Sequence, residues 1–305
     1  MEEEETTVES YEPVIGPAHT PDEAIAQPPS APEIAPPPDP VPVEPASPAF
    51  VYALGQVEPR FPSLAIEKEF AQAAGRSENG GLTDRQALQA VISERQNRYL
   101  ARRLCWVFSI EGLEAYILAP RDPADLELLI EAARAEPRRD DLDVVIGERG
   151  PIAPPEACNG LGVPMVAFDQ LYSFDRDSLV ESVPRPESIP QKGEEQFRQA
   201  TGELFDRIAQ MADNAGATDE HRALNYLAVR YPAIYATAAE AYGRNASLSG
   251  VEVRPSRLSG VRRILDIVFS YTHRETDVTE KYFVRCDVTE EFPFLVTKMS
   301  PFYER

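Results

Sequence analysis

The residues able to do acid–base or nucleophilic chemistry are few and scattered. In 305 residues there are three histidines, His19, His221 and His273, and three cysteines, Cys105, Cys158 and Cys286. A nucleophile needs a base within hydrogen-bond reach. The nearest approach to such a set is Ser270 and His273, with Asp266 or Asp277 as the orienting carboxylate. Strand alternation puts Ser270 and His273 on opposite faces, so a truncated peptidase built on them is the lesser reading. No serine sits in a GxSxG elbow or a GTSxA segment. His221 falls in the first turn of a helical stretch and reads as a solvated surface residue.

Other chemistries are equally poor in signal. GxGxxG and GxxxxGK[ST] loops do not occur, and Gly160 and Gly162 in CNGLGVP are followed by no helix. The cysteines are odd in number and widely spaced, with no CxxC pair to suggest zinc or redox exchange. Cys105 and Cys286 lie in apolar, strand-like runs and read as small buried hydrophobes. Asp140, Asp141 and Asp143, and the pair Glu290 and Glu291, are close in sequence and read as solvated faces. The expectation is therefore no cofactor, no metal and no enzyme.

The elements that would position any site can be read from the pattern. FVYALGQV, from Phe50, reads as a strand by its β-branched and aromatic content. Pro62 opens a helix ending near Gly75, and Thr83 caps a second running to Arg103. LCWVFSI and AYILAP, joined at Glu111–Gly112, read as a hairpin. A helix from Asp122 to Arg134 and strands over 142–150 and 163–174 complete a β-α-α-β-β-α-β-β order. That order is mixed rather than alternating, so the fold class is α+β with mixed or antiparallel sheets and packed helices.

The second half begins after ESVPRPESIPQKG (181–193), which reads as a linker. Helices over 194–213 and from Thr218, then one opened by Pro232, lead into a C-terminal antiparallel meander. In RILDIVFSY the apolar residues do not alternate strictly, which predicts a bulge or burial on both faces. The domain reading is thus a disordered arm at 1–48, an α+β subdomain at 49–180, the linker, and a helical-plus-meander part at 194–305.

Charge excludes several partners. Net charge is -21, and residues 1–50 hold eleven acidic residues and no Lys or Arg, leaving 40 acidic against 30 basic in the remainder. This is the wrong sign for a nucleic-acid binder or for docking on an anionic membrane. Thirteen prolines in residues 1–48 make the arm polyproline-prone and self-repelling. MEEEETT has neither the basic nor the apolar region of a signal peptide, and no stretch is long enough to span a bilayer. The chain is expected in the cytoplasm.

Two stretches carry a resemblance. VYALGQV opening the ordered region, and the closing run NYLAVRYPAIYATAAEAYG, LSGVEVRPSRLSGVRRILDIVFSYTHR and YFVRCDVTEEFPFLVTKMS, resemble the C-terminal region of cyanobactin maturation proteases. The last element is matched at Phe283, Asp287, Val288 and Pro293. In that family a subtilisin-like domain precedes this region; here the acidic arm stands before it, so protease activity does not carry over. The chain also looks like the peptide-binding proteins of crocagin biosynthesis.

The resemblance implies non-catalytic binding of a ribosomal precursor peptide and its presentation to the modifying enzymes of a natural-product pathway. A dimeric scaffold that recruits those enzymes is the alternative, and a homodimer is compatible with either. Strand addition needs an exposed sheet edge with apolar anchors. Tyr172, Phe174, Phe292 and Phe294 are the candidate peptide-binding residues.

Overall fold

The computed structural model describes residues 49–75, 83–138, 140–185, 193–211 and 213–303. The expected arm at 1–48 and most of the expected linker lie outside the described residues. Strand β1 (Ala49–Arg60) organises the first half by changing partners along its length. Its early residues pair with β4 (Asp141–Ile152), Ala53 opposite Val145. Its later residues pair with β2 (Cys105–Ile110), Val57 opposite Phe108. The switch requires close backbone approach. A Cβ on Gly55 would sit 2.3 Å from the Ser109 carbonyl oxygen, and one on Gly147 2.3 Å from that of Ala167.

Strand β3 (Leu113–Pro120) follows β2 through a tight turn with Glu111 and Gly112 both at positive φ, the backbone a two-residue hairpin demands. Strand β5 (Pro164–Asp175) then pairs in parallel with β3 and antiparallel with β4. The result is a closed barrel in the order β1-β2-β3-β5-β4. The expected hairpin and flanking strands are present; closure itself was not anticipated.

Helices α1 (Leu64–Ala74), α2 (Asp84–Ser93), α3 (Arg98–Ala101) and α4 (Leu126–Ala132) pack on this barrel. Phe70, Ile92, Leu100 and Leu129 meet Trp106, Phe108 and Phe168 in one core. Thr83 and Gln86 form the capping box of α2. The single helix expected from 84 to 103 is interrupted at Glu94, which is extended. Its carboxylate accepts from the side chains of Gln96 and Asn97, both at 2.9 Å, in the short 3-10 turn that follows.

Cysteine is a second departure. Cys105 is not a lone buried hydrophobe; it is bonded to Cys158 in the β4–β5 connection. The bond fastens Ala153, Leu161 and Val163 over Val107, Ile117 and Met165. Cys286 is buried, as expected, and burial pushes its thiol up to about 12.

Helix α5 (Arg176–Ser182) closes the expected first subdomain and runs two residues into the expected linker. Asp175 caps it, accepting from the Ser178 amide at 2.7 Å. Helices α6 (Glu194–Ala209), α7 (Asp219–Arg230) and α8 (Ala233–Gly243) follow. The chain ends in a four-stranded antiparallel meander, β6 (Ala246–Pro255), β7 (Ile264–His273), β8 (Thr279–Asp287) and β9 (Phe294–Pro301), with β6 and β9 at its edges. Ile264 through Phe269 are all buried, the two-sided burial that the irregular pattern predicts.

Ser47–Arg305 is one unit with a shared core. Tyr52, Leu54 and Ile146 of the barrel, Phe205, Leu224 and Ile234 of the helices, and Ile267, Phe269 and Val284 of the sheet belong to one cluster. Helix α7 touches both β1 and β7, so the helices form a layer between barrel and sheet.

Candidate functional site

The two aromatic pairs singled out from sequence fare differently. Tyr172 and Phe174 lie in the second half of β5, opposite Val144 and Leu142 of β4 and beyond Phe168, where pairing with β3 ends. Both are half-buried and pack against the core shared with the helices. Tyr172 turns toward the helical layer. Its hydroxyl lies 3.0 Å from that of Tyr52, and Arg230 stacks over its ring at 5.0 Å.

Phe292 and Phe294 are each 44% exposed, one just before β9 and one at its first residue. Strand β9 is an edge, and no described strand pairs with its outer side. The Met299 amide is already taken, donating to the Tyr231 hydroxyl at 2.9 Å, and the Leu295 backbone bonds the Tyr226 hydroxyl, so the open stretch is 296–298. Pairing to β8 shifts register twice, and Thr297 Oγ1 accepts from the Arg285 amide at 3.1 Å.

More apolar surface gathers at this end of the sheet. Ile264, Asp287 and Phe294 are aligned across β7, β8 and β9. The 256–263 turn, which leads into Ile264, therefore lies at the same end as the 288–293 turn. Leu258 and Val261 on the first turn and Val296 on β9 are exposed with the two phenylalanines. Val296, Leu258 and Val261 were not singled out from sequence. Their signal is an apolar residue in a polar turn or alternating on an edge strand, and neither is distinctive.

The turn carrying Phe292 is held from beneath. Arg222 on α7 is 1% exposed. Its guanidinium donates to the carbonyls of Val288 at 2.9 Å, Glu291 at 3.1 Å and Glu290, and pairs with Asp219 at 3.2 Å. Its carbon lies 5.3 Å above the Phe50 ring. A second clamp stands on the surface, where Arg262 pairs with Asp287 at 2.5 Å and stacks 5.3 Å over Phe294. A guanidinium carries five N–H donors on a rigid fork, which lets one side chain reach three carbonyls spread along a turn.

Glu291 joins the turn to the barrel. Arg121 reaches Asp169 at 2.8 Å, Glu148 at 3.3 Å and Glu291 at 3.9 Å. Burial, together with hydrogen bonding to Asp169, raises the Glu291 carboxyl to about 7. Glu291 is therefore not part of a solvated acidic face.

Nor are Asp141 and Asp143, both buried. Asp143 accepts from the Val57 amide at 2.7 Å and the Ser173 hydroxyl at 2.6 Å, and pairs with Arg134 at 3.0 Å. Burial nonetheless raises its pKa. A carboxylate so enclosed by donors ties β1 to β5 and serves the architecture.

The lesser catalytic reading finds no assembled set. Asp266 is paired with Arg285 at 2.7 Å. His273 Nδ1 accepts the Glu275 and Thr276 amides of its own turn, at 3.2 and 3.3 Å. No hydrogen bond links it to Ser270 among the described residues. His221 is half-buried rather than solvated, and burial lowers its pKa. Among the described residues no group of three or more His, Cys, Asp or Glu could hold a metal, and no helix is long and apolar enough to cross a membrane.

A barrel, a helical layer and an outer meander with one open apolar edge define the class of molecule. Residues 191–302, from the approach to α6 through β9, match the family described as PatG C-terminal. A solved structure titled "PatG Domain of Unknown Function" is similar at a TM-score of 0.68 and 21% identity, covering 83% of this chain and 98% of that one. Such coverage must include the barrel, which the family match omits. The chain therefore carries a PatG C-terminal-like domain, as the sequence resemblance implies. No curated protein matches it.

Proposed function

We propose that this protein binds an extended segment of a ribosomally made precursor peptide along the outer edge of β9 and presents it to modifying enzymes. The observation that carries the reading is the coincidence of an unpaired strand edge with Phe292, Phe294 and Val296 exposed beside it. An added strand gains affinity from main-chain hydrogen bonds and selectivity from alternate side chains. Two bulky rings and Val296 supply the apolar contacts, with Leu258 and Val261 at the end of the groove. The similarity to the PatG domain supports a setting in peptide natural-product biosynthesis.

The anionic chain favours a peptide with basic residues near its apolar segment, each well-placed contact adding about 1 kcal/mol at low salt. Fluorescence titration of the labelled precursor peptide tests this. Phe294→Asp is expected to weaken binding by on the order of tenfold, about 1.4 kcal/mol, without lowering the unfolding temperature. Unchanged affinity in Phe294→Asp and Phe292→Asp would remove β9 as the site.

A further inference from the structure

The opposite edge of the meander holds a feature that peptide addition at β9 does not use. A cleft of about 290 Å³ lies between α6, α8 and the start of β6. Its walls are Ala200 and Leu204 of α6, Ala238 of α8 and Leu248 of β6. The two alanines leave room where the helices would otherwise meet side chain to side chain. Tyr271 on β7 closes one side.

Tyr271 is the exception among the buried tyrosines. The Tyr52 hydroxyl is bonded to Tyr172, that of Tyr116 donates to the Ala215 carbonyl at 2.7 Å, and that of Tyr235 to the Ala228 carbonyl at 2.5 Å. Tyr271 is 1% exposed, yet its hydroxyl has no partner among the described residues. A buried hydroxyl left unpaired costs about 1–3 kcal/mol. Burial raises its pKa, so it stays a neutral donor and acceptor.

The rim is charged with both signs. Glu203 and Arg207 line the cleft four residues apart on α6, a spacing that places them on one helix face with Cβ atoms roughly 5–6 Å apart. They do not pair with each other. Glu203 accepts from Gln199 at 3.0 Å, and Arg207 makes no ion pair among the described residues.

We infer that this cleft binds a free amino acid, whose carboxylate meets Arg207, whose ammonium meets Glu203, and whose side chain passes the apolar walls to give Tyr271 its missing partner. Both rim charges are needed because only an unlinked residue carries an ammonium and a carboxylate on one carbon. The occupant has an apolar side chain with a polar tip. A site built to hydrogen-bond a hydroxyl rejects the analogue lacking it far better than an apolar pocket rejects one methylene.

Calorimetric titration of the full chain with L-tyrosine, L-phenylalanine, N-acetyl-L-tyrosine and L-tyrosinamide tests the inference. L-Tyrosine is expected to bind saturably at millimolar concentration or below. The other three are expected to bind at least about tenfold more weakly, or about 1.4 kcal/mol. Tyr271→Phe removes only an unpaired hydroxyl, so it should fold with undiminished stability and lose the preference for tyrosine over phenylalanine. Arg207→Gln, on the surface, should weaken L-tyrosine binding by a similar factor. No saturable binding of L-tyrosine would overturn the inference, and so would N-acetyl-L-tyrosine binding equally well. The cleft and β9 lie on opposite edges of the sheet, roughly 14 Å apart by strand spacing. Phe294→Asp should therefore leave amino-acid binding intact, and either site can fail without the other.

Discussion

Arg222 and Glu291 act on one turn from two sides. Replacing Arg222 with Met would leave the carbonyls of Val288, Glu290 and Glu291 without their shared donor. The expected loss is about 3 kcal/mol, since buried polar groups left unpaired each cost about 1–3 kcal/mol. Urea unfolding measures it, and Arg222→Lys should recover only part, because three donors on a single nitrogen cannot reproduce the spread of bonds made from Nη1 and Nη2. For Glu291 the sign follows from a carboxyl raised from 4.5 to about 7 on folding. Between those values the folded protein holds the proton more tightly than the unfolded chain, so stability falls as pH rises across that window. Glu291→Gln should flatten this fall and be more stable than the parent at pH 8. Melting curves from pH 4.5 to 8 check it, and parallel slopes for the two proteins would remove Glu291 as the cause. The lowered carboxyls of Asp175 and Glu114 act below this window, giving stability that is lost on acidification. None of these roles shows in the sequence. Arg222 is one arginine on a polar helix face, and Glu291 and Asp143 look like members of surface charge runs until the chain folds over them.

Among the elements, those with strong period or turn chemistry were legible and those fixed by distant contacts were not. The β2–β3 hairpin is written in Glu111–Gly112, and the capped starts of α2 and α7 in Thr83 and Thr218. Helix α5 has seven residues with only Val180 buried, so it gives no periodic signal. Barrel closure depends on β1 changing partners at Gly55, and that is decided by β4, some ninety residues away. The Cys105–Cys158 bond was equally hidden, because 53 residues of intervening chain give no hint that the two meet. A loop of that length is worth about 4 kcal/mol in the chain-entropy account of a disulfide. Reduction, or the paired change Cys105→Ala with Cys158→Ala, should lower the melting temperature and first loosen the 153–163 connection. Hydrogen exchange with and without reductant reads this directly; equal melting temperatures would show that the packing around Val107 and Ile117 suffices. Such bonds are rare in reducing compartments, so counting blocked thiols in freshly lysed cells also tests the cytoplasmic expectation.

As a whole molecule the chain is a barrel and a meander joined through a helical layer, and the two meander edges differ in their surroundings. The β6 edge runs beside the cleft of about 290 Å³, and the β9 edge offers open backbone with Phe292 and Phe294. The two phenylalanines were reached from sequence by seeking aromatics on edge strands. Tyr172 and Phe174 were reached by the same rule, and they lie on a barrel strand packed against the helical core, a placement set by contacts distant in sequence. If β9 receives an added strand, amide hydrogen exchange of the full chain on saturation with the precursor peptide reads it directly. Slowed exchange is expected only over Val296–Lys298 and residues 256–263, with β6 and the barrel unchanged. Binding with no slowing on β9, or with protection at β6 or on the barrel instead, would contradict it.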